Sequence, residues 1–84
     1  MDLNKIHEYS IYNEESVRKS KFCGCFYCQR IFKSTEVVDF LEEPKSVKKT
    51  AWCPYCNIDS VLGDYDVAIT HELLGIMYYE FFKK

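Results

Sequence analysis

Glycine and proline are scarce in this chain, three and two among 84 residues, and no low-complexity tract or linker parts it into domains. Set beside 48% hydrophobic and 17% aromatic residues, that scarcity excludes a disordered chain and points to one compact unit, residues 1–84. No apolar run approaches the roughly 18 residues of a membrane span, and MDLNKIHEYS has no basic region followed by an apolar stretch. The chain therefore reads as cytoplasmic, with no membrane partner. Histidine is scarce too: His7 and His71 are the only two, far apart and in no shared motif. A hydrolase needs an open metal position with nearby acids and histidine, and those parts are missing.

Five cysteines are present. A domain of this size buries only about 60 to 65% of the surface its unfolded chain exposes, so it needs a staple. In a reducing compartment paired cysteines favour metal over disulfide, and internal disulfides cannot use up an odd number. The pairs Cys25-Phe-Tyr-Cys28 and Cys53-Pro-Tyr-Cys56, with 24 residues between them, have the spacing at which a tight turn converges two sulfurs on one ion. Pro54 presets the backbone of the second turn, and Asn57 follows it where a left-handed conformation is often required. Cys25, Cys28, Cys53 and Cys56 are the expected ligands of one structural Zn²⁺. Four thiolates fill its shell and leave no catalytic position. Iron in the same shell and four merely buried thiols are the competing readings. Cys23 reads as a small buried residue beside the site rather than a ligand or redox thiol. A redox CxxC usually stands alone at a helix start, whereas two pairs occur here, so no enzyme activity is expected.

The expected fold is a small α+β zinc-stapled domain, zinc-ribbon-like or treble-clef-like, with a zinc half over about 22–63. Residues 3–9 suit a helical turn or a strand, with no clear cap. Asn13 reads as the N-cap of a short helix over 14–20. Ser34 or Thr35 would start a second helix carrying Val37, Val38, Phe40 and Leu41. PKSVKKT is a loop, Thr50–Trp52 is extended, and Ile58–Leu62 reads as a short strand. Thr70 caps a final helix over about 70–82, whose Leu73, Leu74, Met77, Tyr78, Phe81 and Phe82 recur at spacings of three and four.

The strings CGCFYC at 23–28 and TAWCPYCNIDSVLG at 50–63, with the final helix behind them, resemble a family of small bacterial zinc-ribbon-like proteins usually called only "cytoplasmic protein". The resemblance covers roughly residues 13–82. It departs at Asn57, where the family tends to have Gly, and Asn is the next best residue for that backbone. The family carries no established activity. The resemblance therefore implies a zinc site and a bacterial or phage setting, without a function.

Two functional readings remain. Fourteen aromatic side chains exceed what so small a core absorbs, so Tyr9, Tyr12, Tyr65 and Tyr79 are candidates for an exposed surface that binds another protein. Such a module would act as a regulator, an inhibitor or an immunity-type binder, and the apolar final helix would equally serve a homodimer. The alternative is nucleic-acid binding. The formal charge of −2 is unevenly spread, with residues 18–49 at +4 between two acidic segments. Arg18, Lys19, Lys21, Arg30, Lys33, Lys45, Lys48 and Lys49 would contact the polyanion. Four thiolates and one Zn²⁺ sum to −2, taking the whole to about −4 by formal counting, which opposes that reading and gives the cations another role as charge offset.

Overall fold

The computed structural model describes residues 2–84. Leu3–Glu8 forms α1, and its cap is Asp2, whose carboxylate accepts from the Lys5 N–H at 3.2 Å. α2 spans Glu14–Lys19 with acids in its first turn and bases in its last. Ion pairs of 2.9 Å from Arg18 to Glu14 and 3.1 Å from Lys19 to Glu15 lie along its exposed side. Asn13 stands at the expected cap position but does not cap. Its Nδ2 donates to the Val61 carbonyl at 2.8 Å, and its Oδ1 accepts from the Ala51 N–H at 2.9 Å. The side chain is buried because it clips two separate strands together.

Those strands belong to two small sheets. β1 (Phe22–Cys25) is the centre of an antiparallel three-stranded sheet, flanked by β2 (Ile31–Lys33) and β5 (Val61–Gly63). Cys23 lies opposite Phe32 and Gly63, Gly24 opposite Ile31 and Leu62, and Cys25 opposite Val61. Side chains alternate across a strand, so this register sorts the core into two halves. Cys23, Cys25, Phe32 and Val61 pack on one face with Val17, Val37, Ala51 and Cys53. Leu62 and Ile31 face the other way, among Ile6, Phe26, Leu73, Leu74 and Met77.

After β2, residues Ser34–Glu36 make a single 3-10 turn, and the chain then extends into β3 (Phe40–Leu41), which pairs with β4 (Thr50–Ala51). The second helix expected from Ser34 is therefore absent, and Val37 and Val38 explain why. Val37 is 6% exposed and Val38 75%, so the two neighbours face opposite ways on backbone that is already extended at Val37, as β-branched residues favour. The strand expected over 58–62 begins only at Val61, because the Ile58 carbonyl accepts the Cys53 N–H at 3.0 Å and is held in the second metal turn.

α3 (His71–Tyr78) is capped as expected, with Thr70 Oγ1 accepting from the Leu73 N–H at 3.0 Å, and it continues through one wider turn, Tyr79–Lys83. It sits directly on β1. A Cβ at Gly24 would lie 2.8 Å from Ile69 Cγ2 and 2.9 Å from Leu74 Cδ1, so glycine is what permits this close approach. Gly63 serves α2 in the same way, since a Cβ there would be 2.2 Å from Ser20 Oγ. The radius of gyration, 11.6 Å, is that of one compact unit of this length, about 12 Å. Among the described residues no helix is long and apolar enough to cross a membrane.

Replacing Asn13 by Ala strands a buried carbonyl on Val61 and a buried N–H on Ala51 together. The expected loss is about 2 to 4 kcal/mol of unfolding free energy, measured by denaturant titration of the zinc-loaded chain.

Candidate metal centre

Two turns of the same construction present the cysteines. In the first, the Cys25 carbonyl accepts from the Gln29 N–H at 2.8 Å; in the second, the Cys53 carbonyl accepts from the Asn57 N–H at 3.0 Å. The Cys25 and Cys53 amides donate in turn to the Arg30 and Ile58 carbonyls, each at 3.0 Å. Within each turn one amide points at sulfur, Tyr27 N–H to Cys25 Sγ and Tyr55 N–H to Cys53 Sγ, both at 3.4 Å. Gln29 and Asn57 both adopt the left-handed backbone, with φ of 62° and 61°. Asn57 was foreseen in this role. Gln29 was not, although its position directly after Cys28 was the available signal. Both turns join strand ends, and neither begins a helix.

The four sulfurs lie within 4.8 Å of one another. Cys25 Sγ is 3.6 Å from Cys56 Sγ, and Cys28 Sγ is 3.7 Å from Cys53 Sγ. A disulfide would bring two of them to about 2.05 Å. A zinc–sulfur bond of about 2.3 Å gives a tetrahedron with edges of about 3.8 Å, which these two separations match. Cys25, Cys28, Cys53 and Cys56 thus fit one structural Zn²⁺, with a soft and closed donor set.

Surrounding groups tune the sulfurs. Burial raises the Cys25 thiol, but the Ser60 hydroxyl, 3.1 Å from its sulfur, the Cys28 and Tyr27 amides and the Cys56 thiol outweigh it and leave its pKa lowered. As free thiols, Cys53 is pushed up to about 11, chiefly by burial, and Cys56 is also raised, with burial again the main cause. Ser60 was not identified from sequence, because serine three residues beyond a metal turn carries no distinctive spacing. Cys23 stands outside the cluster. It is fully buried, and desolvation, aided by Asp64, pushes its thiol up to about 12. It is a packing residue, as expected. Neither histidine belongs to the cluster: His7 stacks 4.3 Å from the Phe81 ring, and His71 is exposed.

The tyrosine at the third position of each turn anchors that turn. Tyr55 bonds through its hydroxyl to Glu36, lies 5.7 Å from the Phe32 ring and carries the Arg30 guanidinium 4.8 Å over its face. Tyr27 meets Phe82 edge-on at 4.9 Å and Tyr78 at 6.1 Å. Tyr55 passes in the sequence as a spacer between ligands, and Tyr27 reads there only as an aromatic interleaved with the basic residues of the nucleic-acid alternative.

The tyrosines proposed as partner contacts divide. Tyr12, Tyr65 and Tyr79 are exposed, whereas Tyr9 is half-buried against the α3 core. Tyr12 donates its hydroxyl to Glu43 at 2.9 Å, and Lys19 lies over the Tyr65 ring. The cations do not form one patch of free charge. Arg18, Lys19 and Lys49 are paired with Glu14, Glu15 and Glu42, so these three offset carboxylates rather than the metal site. Arg30 stacks on Tyr55, while Lys21, Lys33, Lys45 and Lys48 are exposed without an ion pair among the described residues. No protein-family model, curated protein or solved structure matches the chain.

One zinc per chain is expected by elemental analysis. It should be lost in Cys53→Ser and retained in Cys23→Ser. Each ligand sulfur sheds a proton to bind, so metal holds its folded-state pKa far below the roughly 8.5 of an unfolded thiol. Stability from the site is present above that value and is lost as pH falls through the folded pKa. Acidification with a zinc indicator should release the ion with uptake of more than one proton.

Proposed function

We propose that this chain is a non-catalytic cytoplasmic module whose structural zinc holds an aromatic surface in place for binding another protein. The observation that carries the reading is the junction of the first metal turn with the end of α3. Tyr27 is 42% exposed and Phe82 43%, and their rings meet edge to face. Tyr79, a turn away, is 61% exposed. Large aromatics left in solvent on a rigid support are what interface hot spots are made of. The donor set supports the non-catalytic part of this reading, since four thiolates complete a tetrahedral shell and leave the metal no open position. Free, clustered thiols suit a reducing compartment.

Nucleic acid is the weaker reading. Three of the eight cations in residues 18–49 already face carboxylates on their own chain, and the net charge is negative. An affinity that depends on phosphate neutralisation needs free cations.

Capture of binding proteins from the native host by the zinc-loaded chain should yield a stable partner. Tyr27→Ala or Phe82→Ala, with zinc content unchanged, should weaken that complex at least about tenfold. A wild-type chain that holds no protein partner would sink the proposal. Retention of single-stranded DNA or RNA at about 50 mM salt, where polyanion binding is strong, would favour the alternative.

A further inference from the structure

α3 and the turn after it have two apolar faces. The inner face, Leu73, Leu74 and Met77, is buried on the sheet. On the outer side Ile76 is 38% exposed and Tyr79 61%, where a surface helix ordinarily carries polar residues. Glu72, Ile76, Tyr79 and Lys83 follow one another at spacings of four, three and four, the interval that keeps side chains on one side of a helix. Beside them Gly75 has no fold-imposed reason to lack a side chain. A Cβ there would meet nothing closer than Gln29 Oε1 at 3.5 Å, and glycine weakens a helix interior relative to alanine. Gly75 is half-buried and directed toward Gln29, so it marks the edge of this face and not its centre.

The charges on this seam say which helix. Glu72 stands at its start and Lys83 at its end, and neither has an ion-pair partner among the described residues, whereas Glu80 and Lys84 pair with each other at 3.3 Å. We infer that this face pairs antiparallel with the same face of a second copy of the chain. A two-fold axis passing between positions 77 and 78 sets Ile76 against Tyr79 of the other copy, and Glu72 against Lys83 of the other copy, each twice. The pattern is its own complement only in this orientation, since parallel pairing would oppose Glu72 to Glu72 and Lys83 to Lys83. Antiparallel helices also oppose their dipoles favourably. This inference rests on the protein-interaction reading and names the partner. The arm is about 20 Å long, so its contact falls short of the roughly 800 Å² per partner of a standard interface. A contact this small fits a weak dimer, and the test is set for a dissociation constant on the order of 10 to 100 μM.

Sedimentation equilibrium on the full zinc-loaded chain tests it. At about 1 μM the chain should be monomeric, and by about 200 μM mostly dimeric. Tyr79→Ala should remain monomeric at that concentration with one zinc per chain retained. Glu72→Lys and Lys83→Glu should each weaken association several-fold at low salt, and the double variant should restore it. A wild-type monomer at about 200 μM overturns the inference, as does a dimer indifferent to Tyr79→Ala or a double variant that is not rescued. If the wild type is monomeric yet captures a different protein through Tyr27 and Phe82, self-pairing fails and the broader proposal stands. If it is monomeric and captures nothing, both fail.

Discussion

Convergence of four sulfurs from two distant turns is the constraint on which the remaining structure depends. The strands are two to four residues long, too short to specify a sheet by pairing alone. Cys25 and Cys28 lie at the tip of the β1–β2 hairpin, while Cys53 and Cys56 lie between β4 in one sheet and β5 in the other. Bringing the sulfurs together therefore ties the two sheets to each other. It also sets Val61 beside Cys25, from which the β1–β5 register follows. Structural zinc sites in model peptides contribute on the order of 10 to 16 kcal/mol at neutral pH. The whole stability of a typical domain is about 5 to 15 kcal/mol, so a core this small is not required to hold the fold unaided.

What the metal leaves undone falls to a few polar side chains. Asn13 links Ala51 to Val61 across the gap between the sheets. Asp64 accepts from the Lys21 and Phe22 amides at 2.9 and 3.1 Å and so closes the end of β1 against the chain after β5. The two equivalent tyrosines fasten each metal turn to a different part of the molecule, Tyr55 to the Phe32 side and Tyr27 to α3. Thus the hydrophobic halves on opposite faces of one thin sheet are both connected to the metal site, and neither half can move without disturbing a ligand turn.

This division explains what could be read from the sequence. The four ligands, the left-handed Asn57 and the capped final helix were legible because each depends on spacing within a few residues. The turn at 34–41 was misread as a helix because its apolar residues are too few to separate a period of two from one of three or four. There the decision belongs to β4, whose Ala51 and Thr50 pair with Phe40 and Leu41 from eleven and nine residues away. Asn13 looked like a cap because it precedes a helix with acids in its first turn. Its real partners are 38 and 48 positions distant. The roles of Ser60, Tyr27 and Tyr55 at the site were illegible for the same reason: they exist only once the two turns are brought together.

A fold stabilised by a metal can tolerate surface that a fold stabilised by burial cannot. In a small domain without a staple, every large aromatic left in solvent is apolar area withheld from a core that needs it. Here Tyr79, Tyr65 and Phe82 stay substantially exposed, while the centre of the molecule is closed by sulfur ligation. Four thiolates leave the metal they would hold no open coordination position. In the proposed reading its effect is indirect: it fixes the first metal turn, the turn supports Tyr27, and Tyr27 meets Phe82 at the end of α3. The Tyr27–Phe82 contact orders the ring at the end of that helix, and an aromatic face ordered in advance loses less side-chain entropy in a complex.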